Sequence, residues 1–538
     1  MPLINWILKH VGIVYFAKQD EDVLKLPAEK EAKDLPEYKE YLIRKRADID
    51  RQIKGRKKTA LKKIVLVNPP MQIEKVYGSF SEWAGISPPT GLCYIAALIR
   101  KHGYDVSILD AEALHLGLEA TTEAVLQLKP DIVGIACKTL WVVNAHRVAQ
   151  ALKEKMPGLL IVAGGNHVTA LPERSLKEFP AFDMLVIGEG EITFLELLNK
   201  INAGEDLYNV PGLAFRHNGE AHIAPARERI RNLDELPFPA YDLLPELKTH
   251  YWPSLNNVKR FPAFSLVTSR GCPGQCTFCD RKVFGNRVTG HSPEYIVSMI
   301  KELYHKYGMR YLLFDDDNLL LNKKRLFRTF ELLKKEGLDI PFSCQSRVDT
   351  IDEEMLNFLK KSGCKQILYG IESGSQKILD AMKKHITVDR VREAVKLTKK
   401  AGIEAQGFFI VGYPGETEET LKDTVKLIKK CRFDDIATFF FTPLPGSEIY
   451  QNVDKYGTYI EDWEKMNAMD EIIFVPATIT KDKLKEGSIR AYDSCYLNVH
   501  QILSVFKRIS SITHFEAWVK YFFKELYKTV VKPRPKAG

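Results

Sequence analysis

The stretch FSLVTSRGCPGQCTFCD, residues 264–280, joins a run of strand-forming residues to a loop with three cysteines. Cys272, Cys276 and Cys279 are spaced Cys-x3-Cys-x2-Cys beside two glycines and a proline. Structural zinc sites need four ligands, and the next Cys or His along the chain is His291. A closed zinc site and a chance group of buried cysteines are therefore disfavoured. An iron–sulfur cube held by three thiolates fits better, because it leaves one iron open to bind a substrate or cofactor.

A series of alternating strands and helices begins with this stretch. Strands are predicted at 264–271, 310–317, 341–349, 366–373, 404–412 and 435–443, and helices at about 292–306, 323–336, 352–362, 387–401 and 416–430. Six strand–helix units in succession predict a partial parallel (βα)6 barrel, whose active site lies at the carboxyl ends of the strands. The cysteine loop directly follows the first strand, so we expect it at the mouth of the barrel.

A second α/β series precedes the barrel. Strands are predicted at 62–70, 105–111, 131–139, 159–167 and 183–191, and helices at about 90–104, 120–129, 144–156, 172–178 and 192–202. Continuous apolar strands that alternate with helices predict a doubly wound parallel sheet, with ligands beyond the carboxyl ends of its strands. The first strand ends in VNPP instead of a GxGxxG turn, which argues against a dinucleotide site.

Changes in composition along the chain predict five segments. They are a basic, mainly helical extension at 1–60, a Rossmann-like α/β domain at 61–204, a proline-rich connector at 205–258, the partial barrel at 259–470 and a mainly helical C-terminal segment at 471–538. The segment at 497–531 has helical apolar periodicity with lysines and aromatic residues, and we interpret it as packed on the barrel or as an interfacial amphipathic helix.

The overall composition is that of a folded chain of several domains, with 538 residues, 45% hydrophobic and 27% charged. Six of the nine cysteines are scattered singly, which suits a reducing cytoplasm better than a disulfide scaffold. No apolar run approaches the ~20 residues of a membrane-spanning helix. The net charge of +9 is concentrated towards both ends. This positive charge indicates either solvated helix faces or a surface that contacts anionic lipid or a phosphorylated substrate. Nucleic acid binding is not expected, because no recognisable nucleic-acid-binding module accompanies the charge.

The cysteine spacing, with Phe278 before the last cysteine, resembles the hallmark of the radical S-adenosylmethionine (SAM) superfamily. The resemblance implies that Cys272, Cys276 and Cys279 ligate a 4Fe-4S cluster. The open iron would chelate the amino and carboxylate groups of SAM, at the position that a fourth thiolate would otherwise occupy. One electron would then split SAM into methionine and a 5′-deoxyadenosyl radical that abstracts a hydrogen atom.

Further segments of the barrel look similar to the SAM-contacting strands of that superfamily: FDDDN (314–318), SR (346–347), YGIESG (369–374) and GFFIVGYPGET (407–417). The resemblance implies that SAM is contacted by Asp315, Asp316, Asp317, Ser346, Arg347, Glu372 and Ser373. Two structural alternatives stay open. The acidic run could cap a helix, and Glu372 could be a structural partner of Arg347.

The combination of this barrel with the preceding sheet resembles the cobalamin-binding radical SAM family. That family includes class B-type methyltransferases and the oxygen-independent Mg-protoporphyrin ester cyclase branch. The resemblance spans roughly 62–450 and is carried by VNPP, PPTGLCYIAALIRKHGYDV, GGNHVTALPE, GEGEITFLELL and the connector LDELPFPAYDLLP. It implies that cobalamin is contacted by Asn68, Pro69, Lys138, Thr139, Gly164, Gly165 and Glu189.

One departure concerns the lower face of cobalt. The Asp-x-His-x-x-Gly motif of other cobalamin domains is absent after VNPP, and we interpret His115, His146 and His167 as loop or surface histidines. We therefore expect cobalamin in the base-off form, with its own base tail beside Thr139 and Gly164 and no histidine on cobalt. An unligated lower face favours departure of a methyl group. The alternative is a domain that has lost cobalamin.

The resemblance implies an enzyme that modifies an unactivated carbon, as a C-methyltransferase that passes a methyl group from methylcobalamin to a substrate radical. Such C–H bonds are too strong and too weakly acidic for general-base catalysis. Ring formation or rearrangement of the porphyrin-ester cyclase type is the first alternative, since FFFTPLPGSEIY (439–450) resembles that branch. A non-catalytic sensor of cobalamin or iron is the second. No individual catalytic residue is assigned.

The expected partners are a small-molecule or lipid-like substrate and an external electron donor of the flavodoxin or ferredoxin type. We expect a cytoplasmic, oxygen-sensitive protein. Peripheral contact with the inner membrane face is a further hypothesis, based on the Trp- and Lys-bearing segments INWILKHVGIVYF near the start of the chain and FEAWVKYFFKELYK near its end.

Overall fold

A computed structural model describes residues 63–71, 84–466, 469 and 471–496, and in these ranges the chain forms two parallel β-sheets covered by helices. The predictions for the extension at 1–60 and for the amphipathic segment at 497–531 lie outside the described residues. Among the residues that are described, no helix is both long enough and apolar enough to cross a bilayer.

The first sheet has the predicted doubly wound architecture. Its parallel strands are β1 (Lys63–Asn68), β2 (Asp105–Asp110), β3 (Ile132–Ala136), β4 (Leu160–Gly164) and β5 (Met184–Val186), in the order β2-β1-β3-β4-β5. The connecting helices are α1 (Thr90–Lys101), α2 (Leu118–Gln127), α3 (Val142–Lys155), α4 (Asn166–Ala170), α5 (Pro172–Glu178) and α6 (Gly190–Ala203). Strand order reverses beside β1, so the carboxyl edge of β1 and β3 is where a ligand of this fold would bind.

Two strands in the predicted connector extend this sheet. The antiparallel hairpin β6 (Leu213–His217) and β7 (Glu220–Ile223) adds to β5. Its turn is Asn218-Gly219, with φ of 51° and 87°. Asn-Gly is the strongest short signal for a two-residue hairpin, because both positions need positive φ. The sequence analysis missed that signal.

The second sheet is the predicted partial barrel. Its parallel strands are β8 (Ala263–Leu266), β11 (Tyr311–Phe314), β12 (Phe342–Ser346), β13 (Cys364–Glu372), β14 (Glu404–Val411) and β15 (Asp435–Phe440), neighbours in chain order. A short antiparallel pair, β9 (Ser269–Arg270) and β10 (Thr289–Gly290), encloses the cysteine loop. The connector and barrel helices are α7 (Leu247–His250), α8 (Pro293–His305), α9 (Lys323–Lys335), α10 (Glu353–Lys361), α11 (Gln376–Ala381), α12 (Val388–Lys400) and α13 (Glu418–Cys431). This architecture confirms the predicted fold class.

Side-chain caps explain where several barrel helices begin. Ser292 accepts a hydrogen bond from the backbone N–H of Tyr295 at the start of α8. Asp352 and Thr387 make the equivalent bonds at the starts of α10 and α12. Each cap satisfies a backbone donor that has no partner inside the helix, which stabilises a helix by about 1 kcal/mol.

The two sheets share one apolar core. Buried side chains of α1, the connector and α8 belong to the same cluster, among them Leu92, Tyr241, Tyr251 and Ile296. Downstream of the barrel, the hairpin β16 (Gly457–Tyr459) and β17 (Phe474–Pro476) leads to α14 (Lys481–Tyr496), which packs on α13. The continuous core holds the cysteine loop in a defined place relative to the first sheet.

Candidate active site

The three cysteines lie on one loop at the mouth of the barrel. A Cβ at Gly274 would stand 3.4 Å from Cys272 Sγ and 3.8 Å from Cys276 Sγ, so these two thiols flank the glycine. Cys276 is buried, Cys272 and Cys279 are half-buried, and all three are free. Within the described ranges, no three His, Cys, Asp or Glu side chains converge on one ion. Thiols spaced in this way suit a cluster in which each sulfur binds a different iron.

The residues before the first cysteine are held by the second barrel strand. Asp316, at the end of β11, is fully buried and accepts hydrogen bonds from the Thr268 N–H (3.1 Å) and Oγ1 (2.8 Å) and from the Ser269 hydroxyl. Gly271 has φ of 90°, and a Cβ there would collide with the carbonyl oxygen of Arg287. Glycine is therefore required at this position, and Asp316 orients the chain that enters the loop.

The middle of the loop is held from the opposite side of the barrel. The Thr277 N–H donates to the carbonyl oxygen of Met382 at 3.0 Å, and the Thr277 carbonyl accepts from the Ile449 N–H at 3.0 Å. The Thr277 hydroxyl also lies 2.6 Å from the Tyr413 hydroxyl. These bonds fix the backbone between Cys276 and Cys279, so the thiols do not depend on a bound group for their placement.

Arg347 brings a positive charge to the thiols. Its Nη1 lies 4.0 Å from Cys276 Sγ, while its Nη2 donates to Asp349 at 2.8 Å and to the Lys384 carbonyl at 2.7 Å. Burial raises the pKa of the Cys279 thiol to about 12, and the nearby Cys276 thiol adds to this rise. A guanidinium beside the loop favours the thiolate forms that bind metal.

Glu372 occupies a strained position at the end of β13. Its φ is 72°, in the left-handed region, and it follows a register shift between β13 and β14. Its carboxylate is buried and accepts from Lys384 Nζ at 2.7 Å, so its partner is Lys384 and the alternative pairing with Arg347 is wrong. Strain of this kind costs about 1–3 kcal/mol and accumulates at functional sites. This position therefore supports the prediction that Glu372 has a functional role.

The acidic run after β11 divides into different roles. The alternative that it caps a helix is wrong, because the cap of α9 is Asn322. Asp315 is half-buried, accepts from the Gln345 amide and has a raised pKa because of burial and the adjacent Asp316. Asp317 accepts from the backbone N–H of Gly271 beside the cysteines. Contacts of these carboxylates with SAM stay a prediction.

The two predicted serines lie at the ends of the third and fourth barrel strands. Ser346 Oγ donates to Asn318 Oδ1 at 3.2 Å, and Ser373 Oγ lies 3.3 Å from Thr424 Oγ1. Both serines are buried. They line the same mouth as the cysteine loop, and their contacts with SAM also stay predictions.

The carboxyl edge of the first sheet holds buried polar atoms that lack partners among the residues described. They are Asn68 Oδ1 after β1, Thr139 Oγ1 after β3, and Asn166 Oδ1 and His167 Nδ1 after β4. Buried polar atoms are normally hydrogen-bonded, so this cluster suggests a polar guest along the edge. The Asn166 side chain also lies beside Asp280, which directly follows the last cysteine.

Two glycines and a proline lie at the same edge. Gly165 has φ of 138°, and a Cβ there would lie 2.5 Å from the carbonyl oxygen of Cys137. A Cβ at Gly164 would meet only the Val186 side chain and backbone, at 3.7 Å or more. Pro69 is buried after β1. Glycine is therefore required at position 165 by the close approach of the chain's own backbone, whereas Gly164 is in ordinary contact with its neighbours.

Glu189 instead joins the two sheets. Its Oε1 accepts from Arg270 Nη1 at 2.8 Å and its Oε2 from the Ile230 N–H at 2.8 Å. Arg270 Nη2 bonds Glu191 at 2.6 Å, and all three side chains are at most 8% exposed. We call Arg270, Glu189 and Glu191 the interdomain clamp. Its arginine lies two residues before Cys272. A contact between Glu189 and cobalamin stays a prediction.

A second polar group links the sheets beside Lys138. Asn68 Nδ2 donates to Asp110 (2.8 Å) and Glu112 (3.2 Å). Burial raises the pKa of Asp110, Glu112 and the barrel residue Asp315. The charge of the exposed Lys138 offsets part of this rise at all three carboxyl groups. The carboxyl edges of the first sheet and of the barrel therefore lie close together.

Burial raises the pKa of Glu112 from its ordinary 4.5 to about 7, and the Asp110 charge adds to the rise. The folded chain then holds a proton that the unfolded chain releases, so its stability falls as pH rises from 4.5 to about 7. We expect Glu112→Gln to flatten this part of the profile and to gain about 1–3 kcal/mol above pH 7. Guanidinium unfolding at several pH values measures this.

Glu119→Gln, at an exposed carboxylate on α2, is the matched control and should leave the pH profile unchanged. A Glu112→Gln profile that keeps the slope of the parent would contradict the assignment.

Several site residues were missed by the sequence analysis: Arg270, Glu191, Lys384, Asp110 and Glu112. Arg270 and Glu191 lie inside the quoted motifs, but a charged residue after a strand has the same local pattern whether it binds a ligand or an ion-pair partner. Asp110 and Glu112 could have been found from their position at the carboxyl end of β2.

Comparison with known proteins identifies the family. Residues 266–428 match the radical SAM superfamily, and residues 80–198 match the B12 binding domain. An uncharacterized methyltransferase of Pyrococcus horikoshii is 36% identical over 81% of this chain and 92% of the relative. The anaerobic magnesium-protoporphyrin IX monomethyl ester cyclase of Rubrivivax gelatinosus is 31% identical over 78% of this chain and 75% of that enzyme. This chain belongs to the cobalamin-binding radical SAM family.

A solved structure of the same architecture supports the fold of this radical SAM enzyme. The radical SAM methyltransferase TsrM of Kitasatospora setae, with cobalamin and a 4Fe-4S cluster bound, aligns with a TM-score of 0.62 at 16% identity. The alignment covers 81% of this chain and 89% of TsrM. Such a likeness shows a shared fold.

The cofactors of this radical SAM enzyme are a 4Fe-4S cluster, SAM and cobalamin. The cysteine loop fits the cluster, because it holds three free thiols, and two of them flank a residue without a side chain. The edge of the first sheet fits cobalamin, because unpartnered buried polar atoms lie where such a guest would rest.

Two of the three histidines interpreted as loop or surface residues, His146 and His167, instead lie in helices and are at least half-buried. His167 is buried against Trp463, with ring centroids 4.8 Å apart, and burial lowers its pKa to about 4. His146 is half-buried against Phe179. His115 lies in a turn with φ of 50°. That none of them ligates cobalt stays a prediction.

Proposed function

We propose that the protein is a cobalamin-dependent radical SAM C-methyltransferase. The observation that carries the proposal is the clamp that joins the edge of the cobalamin sheet, at Glu189 and Glu191, to Arg270 at the entrance of the cysteine loop. It couples the placement of the methyl carrier to that of the centre that cleaves SAM. The similarity to a chain named a methyltransferase supports the same conclusion.

The chain's own residues have defined tasks in this proposal. Cys272, Cys276 and Cys279 would hold three irons and leave the fourth to SAM. When bound, the cluster supplies the electron that cleaves SAM, and cobalamin carries the methyl group. Arg347 would face the charge of the cluster, and Glu372 would contact SAM from its strained position. The buried frame excludes water from a reactive substrate radical.

The cobalamin side of the proposal rests on the edge of the first sheet. Asn68, Thr139 and Gly165 would contact cobalamin, with its own base tail in the crevice and no histidine on cobalt. The remaining proposed contacts are Pro69, Lys138, Gly164 and Glu189. An unligated lower face weakens the hold on a methyl group, which suits its transfer to a carbon radical.

The partners proposed are a small-molecule substrate and an external one-electron donor of the flavodoxin or ferredoxin type. A lipid-like substrate and peripheral contact with the inner membrane face rest on the two terminal segments outside the described residues. The domain limits at 61–204, 205–258 and 259–470 are part of the same proposal, with the hairpin β6–β7 as an addition to the first sheet.

Methyl-labelled SAM tests the proposal, because the label marks the product whatever the substrate is. The anaerobically reconstituted holoenzyme, given reductant and a small-molecule extract, should form 5′-deoxyadenosine and S-adenosylhomocysteine together, with a product that gains one labelled CH2. The similarity to the Rubrivivax cyclase makes ring formation the second candidate. It would give 5′-deoxyadenosine with no label in the product, and absence of 5′-deoxyadenosine would favour a sensor.

A further inference from the structure

An open cleft of about 700 Å³ lies on the rim of the barrel, between the loops that follow β9, β11 and β12. Its lining includes Asn318, the start of α9 at Lys323–Arg325 and the residues before α10. All of its lining residues lie in the barrel segment, so it is separate from the edge of the first sheet.

The floor of the cleft holds an unpartnered donor. Asn318 is only 6% exposed, and its Oδ1 accepts from Ser346 Oγ at 3.2 Å. Its Nδ2 has no hydrogen-bond partner within the described ranges, although it is buried. A buried amide N–H2 without an acceptor is energetically unfavourable, so a ligand with an acceptor oxygen would satisfy this donor.

The start of α9 directs further donors into the cleft. Asn322 caps the Arg325 N–H, which leaves the N–H groups of Lys323 and Lys324 without an intrahelical partner. The first turn of this helix has no acidic residue. The positive end of the helix dipole therefore faces the cleft without a compensating carboxylate of its own first turn.

Among the charged side chains that line the cleft, one cation has no partner in the described residues. Lys323 pairs with Asp352, and Asp349 pairs with Arg347. The third lining cation, Arg325, lies 3.9 Å from the buried Asp316 and donates to the Thr268 carbonyl at 2.8 Å. Lys324 is exposed and has no ion-pair or hydrogen-bond partner in the part of the chain that the structure describes. Since the lining carboxylates already have partners, Lys324 is the charge available to a ligand.

The cleft also has an apolar side. Val288 and Leu321 are 39% and 42% exposed, which places both among the large hydrophobic side chains that face solvent. An orthophosphate ion would use only the charged end of a cleft of this size. The apolar side chains indicate that the ligand has an apolar part next to its anionic end.

We propose that this cleft binds a small molecule with a phosphate or carboxylate end, which lies at Lys324, Asn318 and the start of α9, and with an apolar body against Val288 and Leu321. The anionic oxygen accepts from Asn318 Nδ2 and from the free N–H groups of α9, as anions do at helix N-termini. The same oxyanion chemistry can come from a phosphate ester or from a carboxylic acid.

Calorimetric titration of the reconstituted full-length holoenzyme, in buffer free of phosphate, tests the site with phenyl phosphate, benzoate and phenol. Phenyl phosphate or benzoate should bind at least fivefold more tightly than phenol. The tighter of the two anions identifies the end group as phosphate or carboxylate. Lys324→Ala should weaken the preferred anion at least fivefold and leave phenol unchanged. Asn318→Asp, which replaces the donor by a negative charge, should weaken the anion by a similar factor.

Lys334→Ala is the matched control, since Lys334 is an exposed lysine at the other end of the same helix. It should bind the anion as the parent does. Leu321→Ser should weaken phenyl phosphate and leave orthophosphate unchanged. Equal affinities of the Lys324→Ala and Lys334→Ala variants would overturn the proposal, as would phenol binding as tightly as both anions, or no binding of any probe in the millimolar range.

Discussion

Alanine in place of Cys276 is expected to abolish the formation of 5′-deoxyadenosine from SAM. Cys276 is buried, and its Sγ lies beside Gly274 and 4.0 Å from Arg347 Nη1. The other described cysteines apart from Cys272 and Cys279 lie outside this loop, so none of them can take its place. With two thiolates left, the cube would lose one of its three attachments to the protein. Iron and sulfide content, the optical spectrum and the rate of SAM cleavage under anaerobic conditions measure the outcome.

Cys431→Ala provides the control for this experiment. Cys431 is a half-buried free cysteine at the end of α13, outside the cysteine loop. Its replacement should leave the cluster content and the rate of SAM cleavage at the level of the parent. If Cys276→Ala also forms 5′-deoxyadenosine at the parental rate, the assignment of the three thiols as cluster ligands fails.

Replacement of Arg270 by methionine is expected to lower the free energy of unfolding by about 3–5 kcal/mol, because it leaves the buried Glu191 without its cation and Glu189 with only Arg229, at 4.0 Å. Arg270 is 8% exposed, and the side chains of Glu189 and Glu191 are each 4% exposed. In the variant, the carboxyl groups of Glu189 and Glu191 would have to take up protons, or water would have to enter the interface to solvate their charges. Guanidinium unfolding of the full chain measures the loss.

A surface arginine serves as the control for the clamp. Arg231 pairs with Glu228 at side-chain exposures of 85% and 83%, so Arg231→Met should change stability by no more than about 0.5 kcal/mol. Adding Glu189→Gln and Glu191→Gln to Arg270→Met should restore most of the lost stability, because the buried charges are then gone. A single Arg270→Met variant as stable as the parent would show that the clamp does not join the sheets.

The clamp also predicts where a functional defect would arise. Arg270 lies two residues before the first cysteine. Its guanidinium carbon also lies 5.3 Å from the ring centroid of Tyr94 in α1. This side chain therefore adds a polar link between the cysteine loop and the first sheet to the apolar core that the two sheets share. A variant that keeps both sheets but loosens the contacts of Arg270 should still bind the cluster, but it would misplace cobalamin, which carries the methyl group.

The barrel and the cysteine loop could be predicted from sequence because their signals are local. Alternating apolar strands and helices indicated the six barrel strands, and the predicted helix at 323–336 differs by one residue from Lys323–Lys335. The three cysteines are close in the chain, so their spacing alone predicts a common centre. The hairpin at Asn218-Gly219 was equally local and was missed because the prolines that follow it dominated the interpretation.

Which side chains pair with one another could not be predicted in the same way. Glu189 follows a strand in both a ligand site and an ion pair, and only packing of the two sheets decides that it meets Arg270, 81 residues away in sequence. Glu372 pairs with Lys384 instead of Arg347 because the irregularity in β13 turns its carboxylate towards that lysine. Asp316 holds Thr268 and Ser269 because β11 pairs with β8.

The sequence by itself determined the two sheets, their order along the chain and the three-thiol loop, since periodicity and short spacings depend only on neighbouring residues. The tertiary structure alone decided which charges pair, which polar atoms stay without a partner at the edge of the first sheet, and that a cleft of about 700 Å³ lies at the start of α9. These features arise where segments distant in sequence pack together, so burial and charge at such points depend on the whole fold.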